Sequence, residues 1–537
     1  MRRLALVLAA SGVLAACASA GRSAPPAAAP RAQQGGAGAA GQGAGQGPGQ
    51  TPGGARGQDG LRPFAELVRG AVHRSGFFDT YQKGDHLYLV LPRDRLGRDF
   101  LFVATVAQGI GAGGLYGGTM LDRDVNIVAL ERRGDRVFLV QRPHRFVAPG
   151  SAAVQKAIDI TFGPSVLASA RIESVREDSA LVIDVHDWFV SDLSGVGERV
   201  NGAVARPGQP GGGRATFDRD RSWLESVKAF PDNLNVRAKL TFRPPQPASI
   251  GSVPDGRYIP VTVHYSFARL PERPMRPRAA DDRVGYFITA HKDFSNDDGP
   301  SFFARWINRW RLEPKDPAAA ARGELVEPVK PIVYYLDPGI PEEYRPFIKA
   351  GVEAWNRAFE AAGWKNAIRA EMLPEGADAE DIRYPTIRWN TSDEPGYGAI
   401  GPSNIDPRTG EVLDADILIE ANMVLGFKRD WRTKVSPATA LREMLDATPE
   451  ELAALAAGAE AASLADAVAA QGALLRALLA ARGEIGPGDP VPMEYVGQAL
   501  KWVTMHEVGH TLGLRHNFRS SSDTPLEKLA DRAWAEE

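Results

Sequence analysis

The chain has 537 residues, of which 44% are hydrophobic and 24% are charged. This length is too great for one ordinary domain, and the composition is that of a globular protein. The net charge of −3 provides no basic surface of the kind that nucleic-acid binding requires, so we expect no nucleic-acid partner.

The first 17 residues predict export from the cytoplasm. Two arginines precede a short apolar run and small residues, which is typical of a secretory signal peptide and too short to span a membrane. The only cysteine, Cys17, completes Leu14-Ala15-Ala16-Cys17, which resembles the lipobox of bacterial lipoproteins. The resemblance implies cleavage before Cys17 and a lipid anchor on it. Because Ala18 rather than aspartate follows, it also implies the outer membrane. The alternative is an ordinary signal cleaved within residues 16–20.

The next two segments differ in composition. Residues 18–60 are Ala, Gly, Gln and Pro with almost no large apolar side chain, which predicts a disordered tether. Residues 61–325 predict a β-rich N-terminal domain, because runs of β-branched and aromatic residues alternate with turn signals. These runs are 86–92, 99–106, 126–130, 136–141, 180–185, 235–242 and 258–267. The histidines of this domain have no metal-ligand spacing, and we interpret them as surface or core side chains.

Residues 326–537 predict a second domain in which strands and helices share one sheet, so the predicted fold class is α+β. A strand at 331–337 is followed by an amphipathic helix at 341–364, whose apolar residues recur at helical spacing. Further strands are predicted at 368–373, 384–390 and 412–420. Residues 436–490 are rich in Ala and Leu and predict a helical insertion.

The strongest signal is HEVGHTLGLRH, residues 506–516, at the end of a helix predicted over 492–514. His506 and His510 are four residues apart, which places both imidazoles on one face of a helix. Glu507 is rotated away from them and suits a general base. Gly513 can take a positive φ that ends the helix, so His516 can return as a third ligand. Three protein ligands leave a fourth position for water, as in catalytic rather than structural zinc sites.

Chance does not explain this spacing well. In random sequences of this composition, the full H-E-x-x-H-x-x-G-x-x-H pattern would occur in roughly one chain in 10⁵. A helix that carries histidines by accident, and a zinc site that binds without cleaving, are the alternatives.

The motif resembles that of the metzincin metalloproteases. The stretches 281–287 and 402–424, and GLRHNF after the second histidine, resemble large bacterial zinc-dependent metalloproteases that carry a β-rich domain of unknown function. The resemblance implies one catalytic Zn²⁺ and a metzincin-like domain built from a twisted sheet and an active-site helix. It also implies a sheet edge strand that holds the substrate as an added strand. We expect residues 412–420, and in particular Asp416, Ile417, Leu418 and Ile419, to be that edge strand. An ordinary sheet strand is the alternative.

The sequence departs from the family at one point. Metzincins carry a methionine-containing turn beyond the third histidine, and no methionine follows His516. We therefore expect the chain to be incomplete at its C-terminus, without the subdomain that walls the far side of the cleft.

Two hypotheses about function follow. In the first, the protein is a zinc metalloendopeptidase: His506, His510 and His516 hold Zn²⁺, and Glu507 takes a proton from the attacking water. Its partners are a peptide or protein substrate and a membrane, which it meets through the lipid at Cys17. In the second, the protein is a non-catalytic envelope lipoprotein with a truncated, weakly zinc-binding protease half.

Overall fold

A computed structural model describes residues 60–121, 126–204, 214–296, 301–393, 397–431 and 491–517, together with Pro525 and Lys528. Helices and strands are numbered in chain order within these residues. The predicted signal peptide with Cys17, nearly all of the tether and the predicted insertion at 436–490 lie outside the described residues, so these predictions stay predictions. No helix among the described residues is long and apolar enough to cross a membrane.

The first part of the chain forms a sheet of twelve strands. Every pairing in it is antiparallel, as expected for strands that follow one another through short turns. The strands are β1 (Val72–Arg74), β2 (Asp79–Lys83), β3 (His86–Leu91), β4 (Asp99–Gln108), β5 (Asn126–Arg133), β6 (Arg136–Gln141), β8 (Ser165–Val175), β9 (Leu181–Asp184), β10 (Thr216–Phe217), β11 (Trp223–Ala229), β12 (Asn233–Arg243) and β13 (Ile259–Ala268). Their order is β1-β2-β3-β9-β8-β6-β5-β4-β13-β12-β10, and β11 also pairs with β12.

All seven runs predicted as strands fall on strands of this sheet. The sheet buries a large apolar core in which Phe102 lies 4.9 Å from Phe267 between ring centroids. Gly134 has a φ of 60° and lies in the turn that joins β5 to β6 as a hairpin. The helices around this sheet are α1 (Phe64–Leu67), α2 (Ala152–Thr161), α3 (His186–Phe189) and α4 (Val196–Val204).

A small three-stranded sheet follows the large one. Its order is β15-β14-β7, from β7 (Phe146–Val147), β14 (Ile288–Asp293) and β15 (Phe303–Ile307). The antiparallel pair β14–β15 leads to the short helix α5 (Pro317–Ala321), just before the predicted boundary between the two domains.

The second part of the chain is a five-stranded sheet with helices. Its strands are β16 (Ile332–Leu336), β17 (Ile368–Met372), β18 (Thr386–Asn390), β19 (Ala399–Ile400) and β22 (Ile417–Glu420), in the order β17-β16-β18-β22-β19. The first four strands in that order are parallel, and β19 is antiparallel to β22. Two further strands, β20 (Ser403–Asp406) and β21 (Glu411–Ala415), form a separate pair.

The helices of this part are α6 (Arg345–Glu353), α7 (Asn356–Ala361), α8 (Ala421–Asp430) and α9 (Met493–Thr511). The single helix predicted at 341–364 is divided into a 3₁₀ turn, α6 and α7, and Trp355 lies at the junction. The indole Nε1 of Trp355 donates to the carbonyl of Met505 on α9, 2.8 Å away. The junction between α6 and α7 is therefore bonded to α9. Ile348 and Val352 of α6 join Leu500 and Val508 of α9 in the second core.

Candidate metal centre

Helix α9 carries the first part of the motif, and its start and periodicity agree with the sequence. The helix begins after Pro492 and ends at Thr511. Val496, Leu500, Val503 and Val508 are fully buried against the sheet and α6. This apolar stripe fixes the rotation of the helix, so that His506 and His510 lie together on a partly exposed face.

The turn after α9 depends on Gly513. Its φ is 100°, in the left-handed region that glycine adopts without strain. A Cβ at this position would also overlap the carbonyl oxygen of Asn308, so the close approach of another segment requires glycine as well. The turn returns the chain, and His516 comes back to the face of the helix that carries His506 and His510.

The three imidazoles converge on one point. His516 Nε2 lies 2.9 Å from His506 Nε2 and 3.1 Å from His510 Nε2. Among the described residues, this is the only group of three or more His, Cys, Asp or Glu side chains close enough to share a metal ion. The histidines of the β-rich part do not join it.

One hydrogen bond fixes the orientation of His510. Its Nδ1 lies 2.8 Å from the carbonyl oxygen of Leu514, which can only accept, so Nδ1 carries the proton. Nε2 therefore presents its lone pair to the cluster. A backbone carbonyl that holds the distal nitrogen of a histidine in this way is the usual support of a metal ligand.

The environment favours the neutral form of two of the imidazoles. Burial, with smaller contributions from His510 and His516, lowers the pKa of His506 to about 4. Burial also lowers the pKa of His510, against the opposing effect of its hydrogen bond to Leu514. The neutral imidazole is the form that binds a metal, so burial prepares His506 and His510 for this role at neutral pH.

The ligand set fits zinc. Three imidazole nitrogens are typical of catalytic zinc sites, in which a tetrahedral ion has Zn–N bonds of about 2.0–2.1 Å. Such bonds require nitrogens roughly 3.3 Å apart, and two of the pairs here are separated by 2.9 and 3.1 Å. A shift of a few tenths of an ångström would therefore accommodate the ion.

Glu507 follows the first histidine on α9, and only 2% of its surface is exposed. The segment after β19 passes close to it, because a Cβ at Gly401 would lie 3.2 Å from the Glu507 carbonyl oxygen. Glu507 is thus a buried residue on the same helical turn as His506 and His510.

The prediction that residues 412–420 form the edge strand is wrong. The run is divided at Asp416 into β21 and β22, and β22 has neighbours on both sides. Ile417 pairs with Ile387 of β18, while Ile419 pairs with Ala399 of β19. Because its backbone groups already have partners, β22 cannot add a substrate strand. The outermost strand on this side is β19.

The side chains of the same segment have structural contacts. Ile417, Leu418 and Ile419 are at most 6% exposed, and the two isoleucines belong to the core. The Asp416 carboxylate accepts from the Thr386 hydroxyl at 2.6 Å and from Arg388 Nη2 at 2.9 Å. The sequence correctly predicted extended structure for residues 412–420. It could not show which strands would pair beside them.

Two aromatic residues at the cluster were not predicted. The Trp502 ring lies 5.4 Å from the His506 ring, and its position four residues earlier on the same helix was a signal that could have identified it. Phe287 lies 5.7 Å from the His510 ring and comes from the segment before β14. No local pattern could have placed Phe287 there.

Three family models match parts of the chain. A model described as Met-zincin matches residues 488–537, which include all three histidines and Glu507. Models described as domains of unknown function, DUF5118 and DUF5117, match residues 61–109 and 118–315. No curated protein and no solved structure matches the chain. The motif and the cluster are therefore of the metzincin type, and two matched segments of the β-rich part have no assigned function.

Proposed function

We propose that the protein is a zinc-dependent metalloendopeptidase, with His506, His510 and His516 as the metal ligands. The observation that carries the proposal is the convergence of three imidazoles, with Glu507 directly after the first of them on the helix, inside the segment that matches the Met-zincin model. Three histidines with a carboxylate beside the first are the groups that a hydrolytic zinc centre needs.

Zinc, when bound, would supply a Lewis acid that lowers the pKa of a water molecule and polarises the carbonyl of the scissile peptide. The residues of the chain do the rest. His510 is held in one tautomer by Leu514, and the turn at Gly513 returns His516 to the helix. This preorganisation keeps the reacting groups in place without cost at the moment of reaction.

Glu507 acts as the general base in this proposal. Its carboxylate takes a proton from the attacking water as the oxygen bonds to the peptide carbon, and then passes that proton to the leaving nitrogen. The burial of Glu507 supports this role, because a carboxylate that is shielded from bulk water exchanges its proton with the substrate rather than with solvent.

The substrate would lie along β19. This strand is the outermost of the five-stranded sheet, and the residue after it, Gly401, packs against the backbone carbonyl of Glu507 on α9. An extended peptide can add to such an edge by main-chain hydrogen bonds. The proposed substrate is therefore a peptide or a flexible protein segment in an extended conformation.

The proposal is tested by substituting Glu507 with Gln. E507Q removes the base but keeps a side chain of the same size, so we expect zinc content to stay unchanged and peptide cleavage to fall about 10²–10⁴-fold. Cleavage of a peptide library by the zinc-loaded chain and metal content after dialysis are the measurements. E494Q is the matched control, since Glu494 lies on the same helix and bonds to Gln498. It should cleave at the wild-type rate.

The outcomes separate the two hypotheses. If E507Q cuts peptides as fast as the wild type, Glu507 is not the base. If the wild type binds zinc but its peptide cleavage is absent, or is not lost on chelation, the peptidase proposal fails. The non-catalytic envelope protein is then the better hypothesis.

A further inference from the structure

The turn that carries His516 is paired with a segment from the β-rich part of the chain. The amide of Phe287 donates to the carbonyl of Gly513 at 2.7 Å, and the amide of Arg515 donates to the carbonyl of Gly285 at 2.9 Å. Tyr286 and Leu514 form the antiparallel bridge between them. Residues 285–287 thus pair with the turn as a short strand would.

Side chains and close backbone contacts strengthen this pairing. The ring of Phe287 lies against His510. The backbone carbonyl of Phe287 accepts from the amide of Asn308 at 2.9 Å. Asn308 is the residue whose carbonyl oxygen lies where a Cβ of Gly513 would be. Trp310 Nε1 donates to the carbonyl of Thr511 at 3.0 Å, so it satisfies one of the carbonyl groups left open at the end of α9.

The segment that makes these contacts is itself well anchored. Residue 287 leads directly into β14, whose first residue, Ile288, pairs with Ile307 of β15. Thr289 donates its hydroxyl hydrogen to Asn308 Oδ1 at 2.8 Å, which ties the start of β14 to the segment after β15. The turn after α9 therefore pairs with a segment that is continuous with a strand of the three-stranded sheet.

We infer that residues 285–287 are a positioning element of the metal centre, which holds the turn that returns His516 and covers one face of His510. The inference rests on the proposed zinc site. It assigns a role to part of the matched domain of unknown function, because these residues lie within 118–315. The β-rich part would then be a structural component of the site and not only a neighbour of it.

The physical reason is that the helix holds the turn only as far as Leu514, whose amide donates to the carbonyl of Gly509 and whose carbonyl accepts from His510 Nδ1. A ligand that is not held in place loses conformational entropy when it binds a metal. The amide of Arg515, next to His516, bonds to Gly285, so the pairing with residues 285–287 removes part of that freedom beforehand. Groups that support a metal ligand in this way typically change metal affinity 10–100-fold when they are removed.

The test uses four variants of the full chain and measures the zinc dissociation constant by competition with a chelator. F287P removes the N–H donor to Gly513, and we expect a 10–100-fold weaker affinity. F287A removes only the ring against His510 and should weaken binding less. F287Y keeps the ring and should restore wild-type affinity. F303A is the matched control, because Phe303 lies on the same hairpin and is 58% exposed.

Two further readouts keep the inference independent of the proposed function. Hydrogen exchange in the metal-free protein should show a protected Arg515 amide in the wild type and a freely exchanging one in F287P. With Co²⁺ in place of zinc, the visible spectrum of F287P should change, since it reports the number of imidazole ligands.

Each result decides one of the two proposals. Equal zinc affinity for F287P, F287A and the wild type would overturn the positioning role, as would rapid exchange of the Arg515 amide in the wild type. If the wild type binds no zinc, the proposed function fails, and the exchange experiment still decides whether residues 285–287 hold the turn. If F287P does not fold, F287A and its rescue by F287Y decide the role of the ring, and exchange of the Arg515 amide in the wild type decides the role of the backbone pairing.

Discussion

The twelve-stranded sheet and the five-stranded sheet are built differently and contribute differently to the candidate site. The larger one has antiparallel strands of up to 11 residues, whereas the strands of the five-stranded sheet have at most five residues and are mostly parallel. The metal cluster lies in the part with the smaller sheet, within eleven residues of sequence. Its third ligand, however, rests on a segment that follows the larger sheet. Chemistry and support therefore come from different parts of one chain.

Polar contacts join the two parts away from the metal cluster as well. Asn233 and Asn235 donate to the carbonyl of Glu380 at 2.9 and 2.6 Å, and Arg237 pairs with the Glu380 carboxylate. A cavity of about 230 Å³ lies beside these contacts and is lined by residues of both parts, among them His264 and Asp414. Buried polar contacts of this kind depend on exact partners, so they favour one arrangement of the two parts.

The largest effect is expected when a histidine is removed from the metal cluster rather than from the β-rich part. H510A removes a ligand and the contact with Leu514, so we expect zinc affinity to fall at least about 10³-fold, which is roughly 4 kcal/mol. H73A makes the same change in the β-rich part, where His73 stacks on Tyr81. Metal content after dialysis should be lost in H510A and unchanged in H73A. Zinc retained by H510A would contradict the three-histidine site.

The next effect compares the two cores. Ile419 and Ile183 are both fully buried, one in each sheet. I419A and I183A should each lower the free energy of unfolding by about 2–5 kcal/mol, measured with denaturant. Only I419A should also weaken zinc binding, since β22 lies in the sheet against which α9 packs. An I419A protein of wild-type stability with a raised peptide KM would instead restore the substrate-strand interpretation.

The smallest effect concerns pH and the cavity between the two parts. Burial lowers the pKa of His264 to about 4. The nearby charges have smaller effects: Glu380 and Asp416 raise this pKa, whereas Arg237 and Arg388 lower it. Its Nε2 is buried without a hydrogen-bond partner among the described residues. In the unfolded chain, the pKa of a histidine is about 6.5.

The sign of the pH effect follows from these two values. Between pH 6.5 and 4 the unfolded chain binds a proton that the folded protein does not, so stability falls as pH falls, by at most about 3 kcal/mol. H264N keeps a polar group near Thr105 but cannot titrate, so its unfolding free energy should depend less on pH in that window. Parallel pH curves for H264N and the wild type would rule out this contribution of His264.

Local patterns in the sequence were sufficient for much of the fold and for the chemistry of the site. The helical period placed His506 and His510 on one face because side chains four residues apart always meet on a helix. The positive φ of Gly513 follows equally from local sterics, since only glycine takes it without strain. Runs of β-branched and aromatic residues between turn signals located the strands of the large sheet, since such side chains pack well on a pleated surface.

Tertiary structure alone decided which elements became neighbours. β19, with only two residues, gave no sequence signal, yet it occupies the edge that residues 412–420 were expected to form. Phe287 reaches His510 only because residues 285–287 pair with the turn after α9, more than 200 residues later in the chain. Pairing of this kind depends on the free energy of the whole arrangement rather than on local periodicity. The sequence therefore determined the ligands, and the long-range packing determined what holds them in place.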